Sequence, residues 1–251
     1  MEERRSIMNR GLAVILADVL ILAFIIATSL EAQTMKSEGL NAKQATIVTI
    51  AAFTANGDLQ KLKTALNDGL DAGLTVNEIK EILVQMYAYA GFPRSLNGIF
   101  TFMGVMEERE QKGIKDEPGK EASPLPANLD KDKYGEEVLK RLTGTQVAPV
   151  KSGYQLFVPA IDTFLKEHLF ADIFGRDNLD IQRREIATIS ALASMEGVNP
   201  MLQFHLNAGM NVGLTESQLR SLISVVESRV GKKEADNANE ILSKVLSSRA
   251  N

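Results

Sequence analysis

The hexapeptide Gly73-Leu74-Thr75-Val76-Asn77-Glu78 is written a second time, 140 residues on, as Gly213-Leu214-Thr215-Glu216-Ser217-Gln218. Each copy joins a helix stop to a helix start. Glycine suits the left-handed position just past a helix C-terminus. Thr-x-x-Glu and Thr-x-x-Gln have the spacing of a capping box, in which the Thr side chain accepts from a free backbone N–H and the acid or amide reaches back. Helices joined through so short a corner must fold back as an antiparallel pair.

The flanking apolar residues agree. Leu59, Leu62, Leu66 and Leu70 approach the first corner at three- and four-residue steps, and Val76, Ile79, Leu83, Met86 and Ala90 leave it in the same way. Around the second corner Met201, Leu202, His205, Ala208, Gly209 and Val212 share one face, and Leu219, Leu222, Ile223, Val226 and Val230 the next. One histidine interrupts an otherwise apolar stripe.

The duplication runs well beyond the corners. Leu179-Asp180 matches Leu40-Asn41, Thr188-Ile189 matches Thr49-Ile50, Leu206-Asn207 matches Leu66-Asn67, and Gly231 matches Gly91. The offset is 139 before the Asn56/Glu196 turn and 140 after it, so the second half carries one extra residue there. A repeat of this length marks a duplicated helical domain rather than a solenoid unit. Further helices are expected over 42–55, from Pro93 to about 111, over 131–142 and over 155–174, the last with Phe157, Ile161, Phe164, Leu165 and Leu169 inward. No two-residue alternation competes, so the fold class is all-α. Glu107-Glu108-Arg109-Glu110 reads as a solvated helix end, and the Lys-, Glu-, Pro- and Gly-rich stretch 112–128 as a linker. The division is an amino-terminal segment 1–32, a first repeat 40–112, a linker with a short helix 113–152, and a second repeat 153–251.

Charge and composition restrict the partners. A net charge of -4 with no basic run leaves no footprint for nucleic acid. The absence of cysteine excludes disulfides, thiolate metal sites and thiol redox cycling within the chain. Two histidines far apart in sequence offer little for a transition metal. At the amino terminus Arg4, Arg5 and Arg10 precede an apolar run, 12–27, broken only by Asp18, and Ala27-Thr28-Ser29 and Ala32 offer cleavage positions. This reads as a secretory signal peptide, hence an exported, periplasmic or extracytoplasmic protein. An uncleaved membrane anchor and a buried helix of a cytoplasmic protein are the alternatives, because Asp18 and Glu2-Glu3 are unusual in a signal.

With the corners, the helix Arg183-Arg184-Glu185-Ile186-Ala187-Thr188, His205, and Tyr89-Ala90-Gly91-Phe92-Pro93-Arg94 in hand, the chain resembles the carboxymuconolactone decarboxylase family, with two tandem domains of the alkyl hydroperoxidase D-like helical fold over about 40–246. The resemblance implies assembly into rings, a trimer of two-domain chains in place of a hexamer of single domains. It also implies one of two chemistries. One branch reduces peroxides or disulfides through a Cys-x-x-Cys pair ahead of a histidine, with a helical glutamate as proton relay; the other, the decarboxylase branch, needs neither thiols nor cofactor. Val198 and Met201 stand where the redox pair would be, so thiol peroxidase chemistry is not available here. Glu185 matches the relay glutamate and His205 the histidine, with one residue of slippage, while Thr46 and Ala65 hold those places in the first repeat.

Each candidate has a plain structural alternative. His205 on an apolar face is either a satisfied core histidine or a proton carrier. Glu185 is either an exposed partner of Arg184 or Lys166 or the group that orients that imidazole. Tyr87 and Tyr89 serve as core aromatics with a wet hydroxyl or as substrate contacts, and Arg94 as a surface charge or a carboxylate clamp. Their counterparts in the second repeat are Glu227, Arg229 and Glu234. His168 reads as a surface residue. The enzyme reading is a cofactor-free decarboxylase of a small lactone or related carboxylic acid, with His205 and Glu185 catalytic and Arg94, Tyr89 and Tyr87 binding the substrate. The alternative is an exported ring-forming protein that binds a small molecule without catalysis.

Overall fold

The structure, a computed structural model, describes residues 39–146 and 153–250. The segment read as a signal, 1–32, lies outside the described residues, as do 147–152 of the connection. All regular structure among the described residues is helical. The first half contains α1 (Ala42–Asn56), α2 (Leu59–Asp71), α3 (Val76–Ala90) and α4 (Phe92–Gln111). After α5 (Lys131–Thr143), short turns at Tyr154–Phe157 and Pro159–Thr163 lead into a π-helical segment, Phe164–Ile173. The second half repeats the first as α6 (Ile181–Ala193), α7 (Asn199–Asn211), α8 (Glu216–Arg229) and α9 (Lys232–Ala250).

The repeated corners have matching chemistry. Gly73 and Gly213 take φ of 91° and 105°, values that a side chain would strain. Leu74 N–H donates to Gly69 O at 2.9 Å and Leu214 N–H to Gly209 O at 2.8 Å, closing each helix end. Both capping boxes are complete. Glu78 N–H donates to Thr75 Oγ1 (3.2 Å) and Thr75 N–H to Glu78 Oε2 (2.8 Å), with 3.1 and 3.0 Å for Gln218 and Thr215.

Why the halves need each other follows from α1 and α6. Every residue from Ile47 to Ala55, and every residue from Arg184 to Ala193, is buried. A helix apolar all round must be covered on every side. The two helices pack on each other; then α3 of the first half packs on α6, and α8 of the second half on α1. One core results, with side chains from both repeats.

Two expectations are corrected. The stretch 155–174 is not one helix, because Val158, at φ -131° and ψ 78°, lies outside the helical region ahead of Pro159, which disfavours a helical residue before it. Phe157, Ile161 and Phe164 consequently face outward, Phe157 at 88% exposure, and only Leu169 of the five is buried; Leu165 packs partly buried beside it. Leu169, Phe170 and Ile173 close a second cluster against Val138 and Leu142 of α5. Nor is the end of α4 solvated at Arg109. Its guanidinium grips Asp116 through Nε (2.9 Å) and Nη2 (2.8 Å), reaches Asp71 at 2.8 Å and Asn67 at 3.1 Å, and is 6% exposed.

Candidate acid–base site

Asp180 caps α6 by accepting from Arg183 N–H at 2.9 Å, which fixes where the helix begins and turns Arg184 and Glu185 into the protein. The antiparallel α7 presents His205 to the same interior. Glu185 Oε2 lies 2.9 Å from His205 Nδ1, with Glu185 fully buried and His205 5% exposed. With Glu185 as a carboxylate, Nδ1 donates in this contact, and Nε2 is the ring nitrogen that does not meet Glu185. The imidazole sits between two aromatic rings in T-shaped contact, Phe204 at 5.1 Å and Tyr89 at 5.3 Å between centroids. Tyr89 comes from α3, so the first half completes a site built on the second.

Beneath this pair lies a buried charge network that sequence reasoning missed. Arg184, fully buried, donates from Nη2 to Glu81 Oε1 (2.8 Å) and to Arg176 O (2.7 Å), and from Nη1 to Gln85 Oε1 (2.9 Å). Arg176 Nε donates to both Glu81 oxygens, at 2.9 and 2.8 Å. Gln85 Nε2 in turn donates to Arg184 O and to Thr188 Oγ1, both at 2.9 Å. Burial pulls the Arg184 guanidinium below its ordinary range, and the charge of Glu81 works against that shift. The available signal was an Arg-Arg-Glu triplet inside an apolar helix, with Glu81 and Gln85 spaced i, i+4 on the face of α3 that meets it.

Two polar atoms at the site remain unsatisfied among the described residues: Tyr89 Oη and Glu185 Oε1, both buried. The neighbouring Thr188 hydroxyl, which accepts from Gln85, pulls the Tyr89 phenol pKa downward, and larger effects outweigh it. Burial first, and the charge of Glu185 second, push the Tyr89 phenol far above the ordinary tyrosine range. Tyr89 is therefore a neutral hydrogen-bond donor at any physiological pH. Buried polar groups without protein partners are rare in folded proteins.

The structure thus brings His205, Glu185 and Tyr89 together and leaves Tyr87 and Arg94 apart from them. Tyr87 stacks on Phe92 at 4.5 Å and 16° and touches the His168 ring at 5.6 Å. Its hydroxyl is also buried and unpartnered among the described residues. Arg94 is exposed at the start of α4. His168 is half exposed and bonds Asp172 at 3.0 Å, matching its reading as a surface residue. A groove of about 1080 Å³ lies elsewhere, over Leu83, Ile99, Phe102 and Met106, and includes none of these residues. Among the described residues no cluster of three or more His, Asp or Glu side chains could hold a metal ion. None of their helices is long and apolar enough to cross a membrane.

Fold and site define a duplicated, all-helical protein in which one half retains a buried histidine–carboxylate pair. The chain belongs to the carboxymuconolactone decarboxylase family, whose sequence model matches residues 24–100 and 159–244; the second stretch lies within the second repeat, and the first covers most of the first repeat and reaches back into the segment read as a signal. Among curated proteins it is similar to an uncharacterized 15.0 kDa protein in the nqo9-nqo10 intergenic region of Paracoccus denitrificans, 32% identical over 82 residues. That similarity covers 32% of this chain and 61% of the relative, so the chain spans about three fifths of the relative's length.

Proposed function

We propose that the protein is a cofactor-free carboxy-lyase acting on γ-carboxymuconolactone or a similar small, enolisable carboxylic acid. The carrying observation is the buried His205–Glu185 contact beside two unsatisfied polar atoms, Tyr89 Oη and Glu185 Oε1. When the carboxylate leaves as CO2, the electron pair of the broken C–C bond spreads through the ring C=C onto the lactone carbonyl oxygen as a dienolate. A neutral phenol donor at that oxygen stabilises it. One proton must then be delivered to carbon for each CO2 released. His205 Nε2 is the group to deliver it and recover it from solvent, with Glu185 holding the ring and balancing the imidazolium. Arg94, exposed and apart from the pair within one chain, would meet the substrate's carboxylate from a neighbouring subunit of the assembly.

Self-association belongs to the same proposal. Phe92, Leu96, Phe100 and Met103 form an exposed apolar row along α4, and Phe157 and Phe164 are exposed ahead of α6. Rows of this kind are uncommon on monomer surfaces, and a trimer would cover them; sedimentation equilibrium giving a monomer would remove this part. The catalytic proposal is tested by mixing purified protein with the lactone and following its ultraviolet band. Turnover that disappears in His205→Ala supports it, and turnover no greater than in that variant ends it. The non-catalytic binding alternative is favoured by one observation, the absence of the pair from the first repeat, and would then stand.

A further inference from the structure

The exchange that places Tyr89 of the first half on the acid–base pair of the second is reciprocal. Helix α8 packs on α1 as α3 packs on α6, so the first half carries its own version of the site. There Thr46 replaces the glutamate, Ala65 the histidine and Arg229 the tyrosine. Thr46 is spent on its own helix, donating to Lys43 O at 2.8 Å. With a methyl group where an imidazole would be, the position is an open cleft of about 280 Å³.

We propose that this cleft binds a small planar carboxylate, independently of the acid–base pair. Its floor is apolar, formed by Phe53 (4% exposed) and Ala65 (3%). Its rim carries two cations, Lys61 and Arg229, and one carboxylate, Asp68. Lys61 Nζ stands 5.6 Å over the Phe53 ring and 3.3 Å from Asp58, and among the described residues Arg229 Nη2 makes one long approach, 3.8 Å to Asp68. That last pair is half exposed and beyond hydrogen-bond distance, so an incoming carboxylate can displace it at little cost. A planar guanidinium grips a carboxylate with two parallel N–H donors, while Phe53 underlies the flat body. The Thr64 hydroxyl at the rim supplies a further donor. The volume admits a ligand of about one ring, near the lower end of small-molecule sites. In this reading the second repeat keeps the chemistry and the first keeps only recognition of an unsaturated acid.

The test is calorimetric titration of the full-length protein with benzoate, and with benzamide as its uncharged analogue. Saturable benzoate binding is expected, weakened about tenfold by Arg229→Ala, close to 1.4 kcal/mol, blocked by Ala65→Leu, and unchanged in His205→Ala. Benzamide should bind at least about tenfold more weakly. Arg229 is exposed, so its replacement leaves the fold intact, which a thermal melt verifies. The proposal is overturned by no saturable binding, by benzamide binding as well as benzoate, or by benzoate affinity that is unchanged in Arg229→Ala. Loss in His205→Ala also overturns it, placing the ligand at the acid–base pair and leaving the catalytic reading to its own assay.

Discussion

Glu81→Ala is the most informative single perturbation of the fold, because Glu81 is the one carboxylate among the described residues that pairs with Arg184. Both side chains are at 1% exposure or less. Without Glu81 the guanidinium keeps neutral acceptors, Gln85 Oε1 at 2.9 Å and the Arg176 carbonyl at 2.7 Å, but no counter-charge, and its Nε already has no partner among the described residues. Removing one member of such a buried pair costs about 3–5 kcal/mol. The second pair that Glu81 makes adds little, since Arg176 is 39% exposed and water replaces its partner. With a urea slope of about 3 kcal/mol/M, the midpoint should fall by about 1–2 M. Replacing Glu81 and Arg184 together by Leu and Met should recover most of that loss, because no buried charge is then left unpaired and only the neutral acceptors Gln85 Oε1 and Arg176 O lose their donor. A drop below about 1 kcal/mol for Glu81→Ala, or a double variant no better than the single one, would refute the network's role in joining the halves.

Two further predictions concern other residues. Tyr89 should not ionise in the native protein in a spectrophotometric alkaline titration. Its pKa is raised on folding, so its contribution to stability is present below the ordinary tyrosine pKa and is lost as pH rises through and beyond that range; a full complement of native tyrosines titrating near pH 10 would contradict this. Arg109→Ala strands Asp116, whose side chain is 6% exposed, and should cost about 2–3 kcal/mol in a denaturant melt, whereas a change below about 0.5 kcal/mol would return that helix end to the solvated reading.

Much of this architecture was legible in the sequence, because caps and corners are local. The Thr75 and Thr215 boxes and the left-handed glycines need only neighbours within a few residues, and both turned out as their spacing implied. What the sequence hid was set by contacts between the halves. Arg184 looks like a surface charge until α3 brings Glu81 and Gln85 to it from about 100 residues away. Phe157 and Phe164 look like core residues until the break at Val158 turns them outward. At the site, the match of Glu185 and His205 to a family pattern identified the pair. It could not tell that Tyr89, rather than Tyr87 or Arg94, meets the imidazole, since residues two apart on a helix leave on different faces and only the packing of α3 on α6 selects one.

The pairing of Glu185 with His205 is the claim on which the chemistry depends, and nitrogen-15 spectra of the imidazole report it directly. At mildly alkaline pH the proton of His205 should reside on Nδ1, with Nε2 bare and resonating as an unprotonated nitrogen, and Glu185→Gln should disturb that preference. A wild-type His205 carrying its proton on Nε2 under the same conditions would mean that Glu185 does not orient the ring, and the proton-transfer account would fail.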